Sequence, residues 1–117
     1  MQFEDLKNVV ITAIEDLKGE KIVQLNVKGK TSFTDLMIIV SGTSSRHVKS
    51  IAENVVEKAK QAGAIFLGME GEEQSEWVLV DLGDIVVHVM QPQVREFYAL
   101  EKLWGVEEAA GKRVASQ

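Results

Sequence analysis

The spacing of apolar residues in this chain predicts a small α/β sandwich, a mixed five-stranded sheet packed with helices. Three observations lead there. Two segments repeat apolar residues every three to four positions, an unbroken and largely β-branched run lies between them, and a tight hairpin precedes one last helical stripe. The predicted order is helix, two strands, helix, three strands, helix.

Leu6, Val9, Val10, Ala13, Ile14 and Leu17 form the apolar stripe of the first helix. Glu4, Asp5, Lys7, Glu15 and Asp16 take its other side, and Gly19 stands where it stops. Ile22 to Val27 reads as a strand and Lys28-Gly29-Lys30 as a turn. Asp35 then precedes Leu36-Met37-Ile38-Ile39-Val40, a run without polar alternation, as expected of a strand covered on both faces. Thr43, Ser44 and Ser45 are each competent N-caps for the second helix, because a hydroxyl can accept from the orphan amides of a first turn. Val48, Ile51, Ala52, Val55, Val56 and Ala59 carry that helix to Gly63. A short strand is predicted at Ala64 to Leu67, then a charged loop from Glu70 to Glu76. Pro92 suits the first turn of the last helix, with Val94, Phe97, Leu100, Leu103 and Trp104 as its apolar stripe. With no linker composition anywhere, residues 1–105 read as one domain, and 106–117, where periodicity is lost, as a flexible tail.

The chain of 117 residues is long enough for one core that buries about two thirds of the unfolded surface. It has no cysteine, which excludes a disulfide framework and a thiolate metal cluster and makes the cytoplasm the expected compartment. Leu36 to Val40 is the longest apolar run, far short of the roughly 20 residues of a bilayer span, and the start of the chain is acidic where leader peptides are basic. A soluble, unprocessed protein with no membrane partner is expected. The net charge of −5 is uneven: residues 1–60 sum to +1 and residues 61–117 to −6. Between Phe66 and His88 there are six carboxylates and no Lys or Arg. Affinity for a phosphate backbone comes from cations that displace counterions, so this half disfavours nucleic acid and favours a basic protein.

The hairpin sharpens that expectation. If Gly83 and Asp84 are the two loop residues, Asp81 lies opposite Val86, Leu79 opposite His88 and Trp77 opposite Met90. Val78, Val80, Leu82, Ile85, Val87 and Val89 then share a wholly aliphatic face that belongs under the helices. Trp77, Leu79, Asp81, Val86, His88 and Met90 share the other. Aromatic and Met groups around a few polar ones are the make-up of an interface, so this face is expected to be exposed and to meet a partner or a second copy. The competing expectation is that the last helix or the long loop covers it.

Other constellations are weaker. Ser41-Gly42-Thr43-Ser44-Ser45 at a strand-to-helix junction resembles the Gly-Ser turn of nucleotidyltransferases, which makes a nucleotide-dependent enzyme the alternative reading. Those enzymes need two acidic metal ligands two apart on a following strand, whereas Asp81 and Asp84 are three apart with a turn between. Plain N-capping explains the turn better. His47 and His88 are the only imidazoles and lack the spacing of a triad or zinc site. His47 reads as a solvated or locally hydrogen-bonded side chain. Glu70, Glu72, Glu73 and Glu76 read as a solvated loop without a calcium pattern. No catalytic residue, metal or cofactor is expected.

Four motifs, in order, carry a family resemblance: Gly42-Thr43-Ser44-Ser45-Arg46-His47-Val48; Glu76-Trp77-Val78-Leu79-Val80-Asp81-Leu82-Gly83-Asp84; Val87-His88-Val89-Met90-Gln91-Pro92; and Arg95-Glu96-Phe97-Tyr98 with Leu100 to Trp104. Over about residues 3–104 the chain resembles the ribosomal silencing factor S, or Iojap, family. The resemblance implies a nucleotidyltransferase-like fold without the catalytic acids. It also implies a factor that docks on the large ribosomal subunit through ribosomal protein L-fourteen, blocks joining with the small subunit and lowers translation when nutrients run short. In that setting Trp77, Leu79, Val86 and Met90 are the expected apolar anchors, with Asp81 and His88 among them. Glu96 and Tyr98 are expected at the rim, and Trp77 is the expected hot spot. Off the ribosome the same face leaves room for a homodimer.

Overall fold

The computed structural model describes residues 1–99. The helices are α1 (Phe3–Asp16), α2 (Ser45–Gln61) and α3 (Pro92–Tyr98). The strands are β1 (Glu20–Asn26), β2 (Leu36–Ser41), β3 (Gly68–Glu70), β4 (Trp77–Asp81) and β5 (Ile85–Met90), in the spatial order β1-β2-β5-β4-β3. β2 and β5 run parallel at the centre and the other pairs are antiparallel, which makes the sheet mixed as expected. No described helix is long and apolar enough to cross a membrane.

The main core lies between one face of the sheet and α1 and α2. Leu36, Ile38 and Val40 of β2, Ile85, Val87 and Val89 of β5 and Val78 and Val80 of β4 meet Leu6, Val10 and Ile14 of α1 and Val48, Ile51 and Val55 of α2. Each fully buried aliphatic side chain there is worth about 1.5–3 kcal/mol in burial. The other face holds a smaller cluster, Leu25, Val27, Met37, Ile39 and Met90, with Val23, Trp77 and Val94 of α3 packed against it. All six residues of β2 are buried, so the unalternating run reports a strand covered on both sides.

Two contacts fix the α1–α2 layer. Asn54 Nδ2 donates to the Ala13 carbonyl at 2.9 Å. His47 Nε2 donates to the Leu17 carbonyl at 2.7 Å while its Nδ1 accepts from the Thr43 amide at 2.8 Å. His47 thus ties the end of α1 to the start of α2 and is only half-exposed, which corrects the expectation of a merely solvated or local side chain.

The hairpin has the predicted register: Trp77 pairs with Met90, Leu79 with His88 and Asp81 with Val86. The Leu82 amide donates to the Ile85 carbonyl at 2.9 Å, leaving Gly83 and Asp84 as the turn, and Asp81 Oδ1 accepts from the Gly83 amide at 2.9 Å. Elsewhere the structure corrects the sequence. The strand expected at Ala64 to Leu67 forms just beyond it, at Gly68–Glu70. Phe66 packs on the core and Ile65 and Leu67 are exposed, so the alternation is strand-like, but the chain reaches β4 only where Leu67 donates to Asp81 at 2.9 Å. In α3, Phe97 is exposed instead of lying on an inward stripe, and Ala99 ends the helix in the left-handed conformation (φ 48°). Leu100, Leu103 and Trp104 of the predicted stripe, and the predicted tail 106–117, lie outside the described residues.

Candidate functional site

β4 and β5 carry the six hairpin residues predicted to form an exposed face, and the structure divides them by depth. Trp77, Leu79 and Asp81 on β4 are half-buried. Val86 and His88 are 6% exposed and Met90 is 0% exposed. These three are therefore a floor, which corrects the expectation that they stand free as anchors. The reason is strand order. β5 lies between β2 and β4, so Met37 and Ile39 flank Val86 and His88 on one side, Trp77 and Leu79 stand on the other, and Val94 of α3 packs on the cluster that contains Met90. Glu96 and Tyr98 of α3 are exposed. Within the described residues, α3 packs on the face at its Met90 and Trp77 end.

Trp77 is the centre of what remains accessible. Its indole N–H donates to His88 Nδ1 at 2.9 Å, and its ring stands 4.8 Å from that of Tyr98 in a tilted contact. Phe97 meets Tyr98 edge-on at 5.0 Å, which extends the aromatic ridge outward. Burial lowers the pKa of His88 to about 4, because desolvation penalises the imidazolium. The ring is therefore neutral near pH 7, its Nδ1 accepting from Trp77 and its proton on Nε2.

Beside Trp77 stands the acidic segment, and it is held in place, not simply a solvated loop. Glu70 belongs to β3. The Ser75 side chain is buried at φ 55°, its amide donating to the Gly71 carbonyl at 2.9 Å and its Oγ to the Glu72 carbonyl at 2.7 Å. Gln91 donates its amide to the Glu76 carbonyl at 3.0 Å, and its Nε2 to Ser45 Oγ at 2.9 Å and the Ser75 carbonyl at 3.3 Å. Gly71, at φ 91°, lies against the Trp77 carbonyl, where a Cβ would have no room. The result is an open cleft of about 460 Å³ lined by Glu70, Glu72, Glu73, Glu76 and Trp77. Asp81 spends one carboxylate oxygen on the hairpin turn, so the four glutamates are the better placed partners for a basic surface.

Gly71, Ser75, Gln91 and the Trp77–His88 bond were not singled out from the sequence as parts of this site. Only the last left a signal: Trp77 opposite Met90 makes His88 its diagonal neighbour, within reach of a long side chain.

The Ser41 to Ser45 turn is occupied by the protein itself. Ser44 is the N-cap of α2, its Oγ accepting from the His47 amide at 3.1 Å, and the Thr43 amide is taken by His47. Ser41 Oγ accepts from Arg95 Nη1 at 2.9 Å and Ser45 Oγ from Gln91. Gly42 sits so close to α2 that a Cβ would lie 2.9 Å from the Val48 amide nitrogen. A phosphate would have to displace these bonds, so the geometry gives the nucleotide reading no support. Among the described residues no three His, Asp or Glu side chains gather closely enough to hold a metal ion.

The whole chain compares closely with known proteins. A family model described as "Ribosomal silencing factor during starvation" matches residues 1–117. The ribosomal silencing factor RsfS of Chromobacterium violaceum is 47% identical over 105 residues, 90% of this chain and 86% of that protein. RsfS of Haemophilus influenzae is 46% identical over 99 residues, 85% of this chain and 97% of that protein. A crystal structure of a Chromobacterium violaceum protein superposes with a TM-score of 0.87 at 47% identity, covering 90% of this chain and 88% of that one. A family model that matches all 117 residues, with a relative and a solved structure each covering 90% of the chain, means that the chain belongs to the ribosomal silencing factor family.

Proposed function

We propose that the chain docks on the large ribosomal subunit through ribosomal protein L-fourteen and, by occupying that surface, prevents the small subunit from joining. Family membership makes the protein a ribosome-associated regulator of translation. The docking face is the finer step, and one observation carries it: Trp77 stands half-exposed between His88 and Tyr98 beside a fixed wall of four glutamates. An aromatic anchor with a charged rim suits a basic ribosomal protein, and the rim speeds encounter more than it adds affinity. Leu79 and Asp81 complete the accessible part of the face, Glu96 and Tyr98 its rim, and Val86, His88 and Met90 its floor. Residues 1–105 act as the docking domain, and off the ribosome the same face pairs with a second copy.

The mechanism is steric exclusion in the cytoplasm, without bond making or breaking. Silencing therefore follows occupancy, set by concentration relative to Kd. Adding the protein to separated subunits and resolving them on a gradient tests it. The joined-ribosome peak should shrink as protein is added, with the protein travelling with the large subunit. A joined peak of unchanged height at saturating protein overturns the proposal.

A further inference from the structure

We infer that His88 is the positioning residue of the docking face, holding the Trp77 indole against Tyr98 in the orientation that meets the partner. The inference rests on the docking reading above and names how that face is preorganised. His88 is 6% exposed, too deep to be a contact residue itself. Its nearest neighbours on this face are Ile39 and Leu79 across the ladders and Val86 and Met90 on its own strand, with Met37, Trp77 and Asp81 on the diagonals; among these aliphatic neighbours an aliphatic side chain would avoid the cost of burying a polar ring. The contact that an aliphatic residue could not make is the 2.9 Å bond to the Trp77 indole.

That bond adds little to folding. The indole N–H belongs to a half-exposed ring and would find water in the unfolded chain. Its effect is on orientation. The Trp77 backbone is fixed by the β4–β5 ladder and by the Gly71 contact, so the side-chain torsions are the freedom left to the ring. His88 stops that motion from below and Tyr98 from the side, with ring centroids 5.8 Å and 4.8 Å from Trp77. A partner that meets the ring already in place does not have to order it on binding.

The test uses the full chain labelled with nitrogen-15, with the Trp104→Phe variant identifying the Trp77 indole signal. His88→Leu removes the acceptor, and His88→Asn restores one near the position of Nδ1. In His88→Leu the indole resonance should move upfield, its proton should exchange with solvent faster, and calorimetric affinity for purified ribosomal protein L-fourteen should weaken by about five- to tenfold. His88→Asn should recover the signal and bring affinity to within about twofold of the parent, a rescue that a purely structural role does not predict. With Trp77→Ala already present, His88→Leu should add no further loss. An unchanged indole signal in His88→Leu overturns the inference, as does a loss of affinity that persists undiminished in the Trp77→Ala background. If Trp77→Ala weakens docking and His88→Leu does not, positioning alone fails. If Trp77→Ala docks like the parent, the docking reading fails and takes this role with it.

Discussion

The two faces of this sheet are made from the same strands in alternation, yet they differ in what they are built to do. The face under α1 and α2 is aliphatic and dry across β2, β5 and β4, with Ile38, Val40, Val78, Val87 and Val89 at zero exposure. The opposite face has α3 at one end, places an imidazole in its floor and leaves an indole half in water. A sheet can be stable with one face packed and the other wet, so what distinguishes the second face is its mixture of an indole, an imidazole and apolar groups. On the docking reading proposed above, the second face gives up burial in return for a surface that another molecule completes.

Damage to the first face should cost most, and only in stability. Ile38→Ala is expected to lower unfolding free energy by about 2–5 kcal/mol, read by chemical denaturation, while the folded fraction docks as before. If docking falls out of proportion to folding, the two faces are not separate in function.

The second face should reveal its buried imidazole through pH. An unfolded histidine titrates near 6.5 and His88 in the folded chain near 4. Above pH 6.5 neither state is protonated and nothing is lost. Between 6.5 and 4 the unfolded chain takes up a proton that the folded chain refuses, so stability falls. Below 4 both are protonated and the loss is complete, at about 3 kcal/mol. Denaturation at pH 7 and pH 4 should show this loss in the parent relative to His88→Asn, and equal losses in the two chains would remove the imidazole from the account.

Trp77→Ala should weaken docking by about 2 kcal/mol or more, seen as reduced cosedimentation with large subunits, and leave the domain folded by circular dichroism. Wild-type cosedimentation would dismiss Trp77 as the anchor. The smallest effect is expected from the rim: Glu72→Gln with Glu73→Gln should slow association and flatten its salt dependence, while the dissociation rate changes by less than about threefold. A salt dependence identical to the parent would place the acidic wall away from the contact.

Much of the fold was legible because it is local. The α1 and α2 stripes follow from three-four spacing, and the hairpin register follows from a two-residue turn that admits one pairing. Depth was not legible. Alternation assigns Val86, His88 and Met90 to a face, but only the placing of β5 between β2 and β4 says that its side chains are covered, and that order is set by contacts between distant segments. The acidic loop escaped for the same reason, since the Gln91 side chain that fastens it comes from the junction of β5 and α3 and bonds to Ser45 and Ser75. The resemblance pointed to the right family before any of this geometry was visible. It did not show that Val86, His88 and Met90 lie deeper than Trp77.

The parallel pairing of β2 with β5 bears on synthesis. It joins Leu36 to Ile85, with α2, β3 and β4 lying between them in the chain. Closing so long a segment is a slow, late event in folding, and the proposed docking face is complete only after it, once Met90 and α3 have taken their places. On the docking reading proposed above, a nascent chain still missing its C-terminal quarter lacks Met90 and α3, and with them part of that surface.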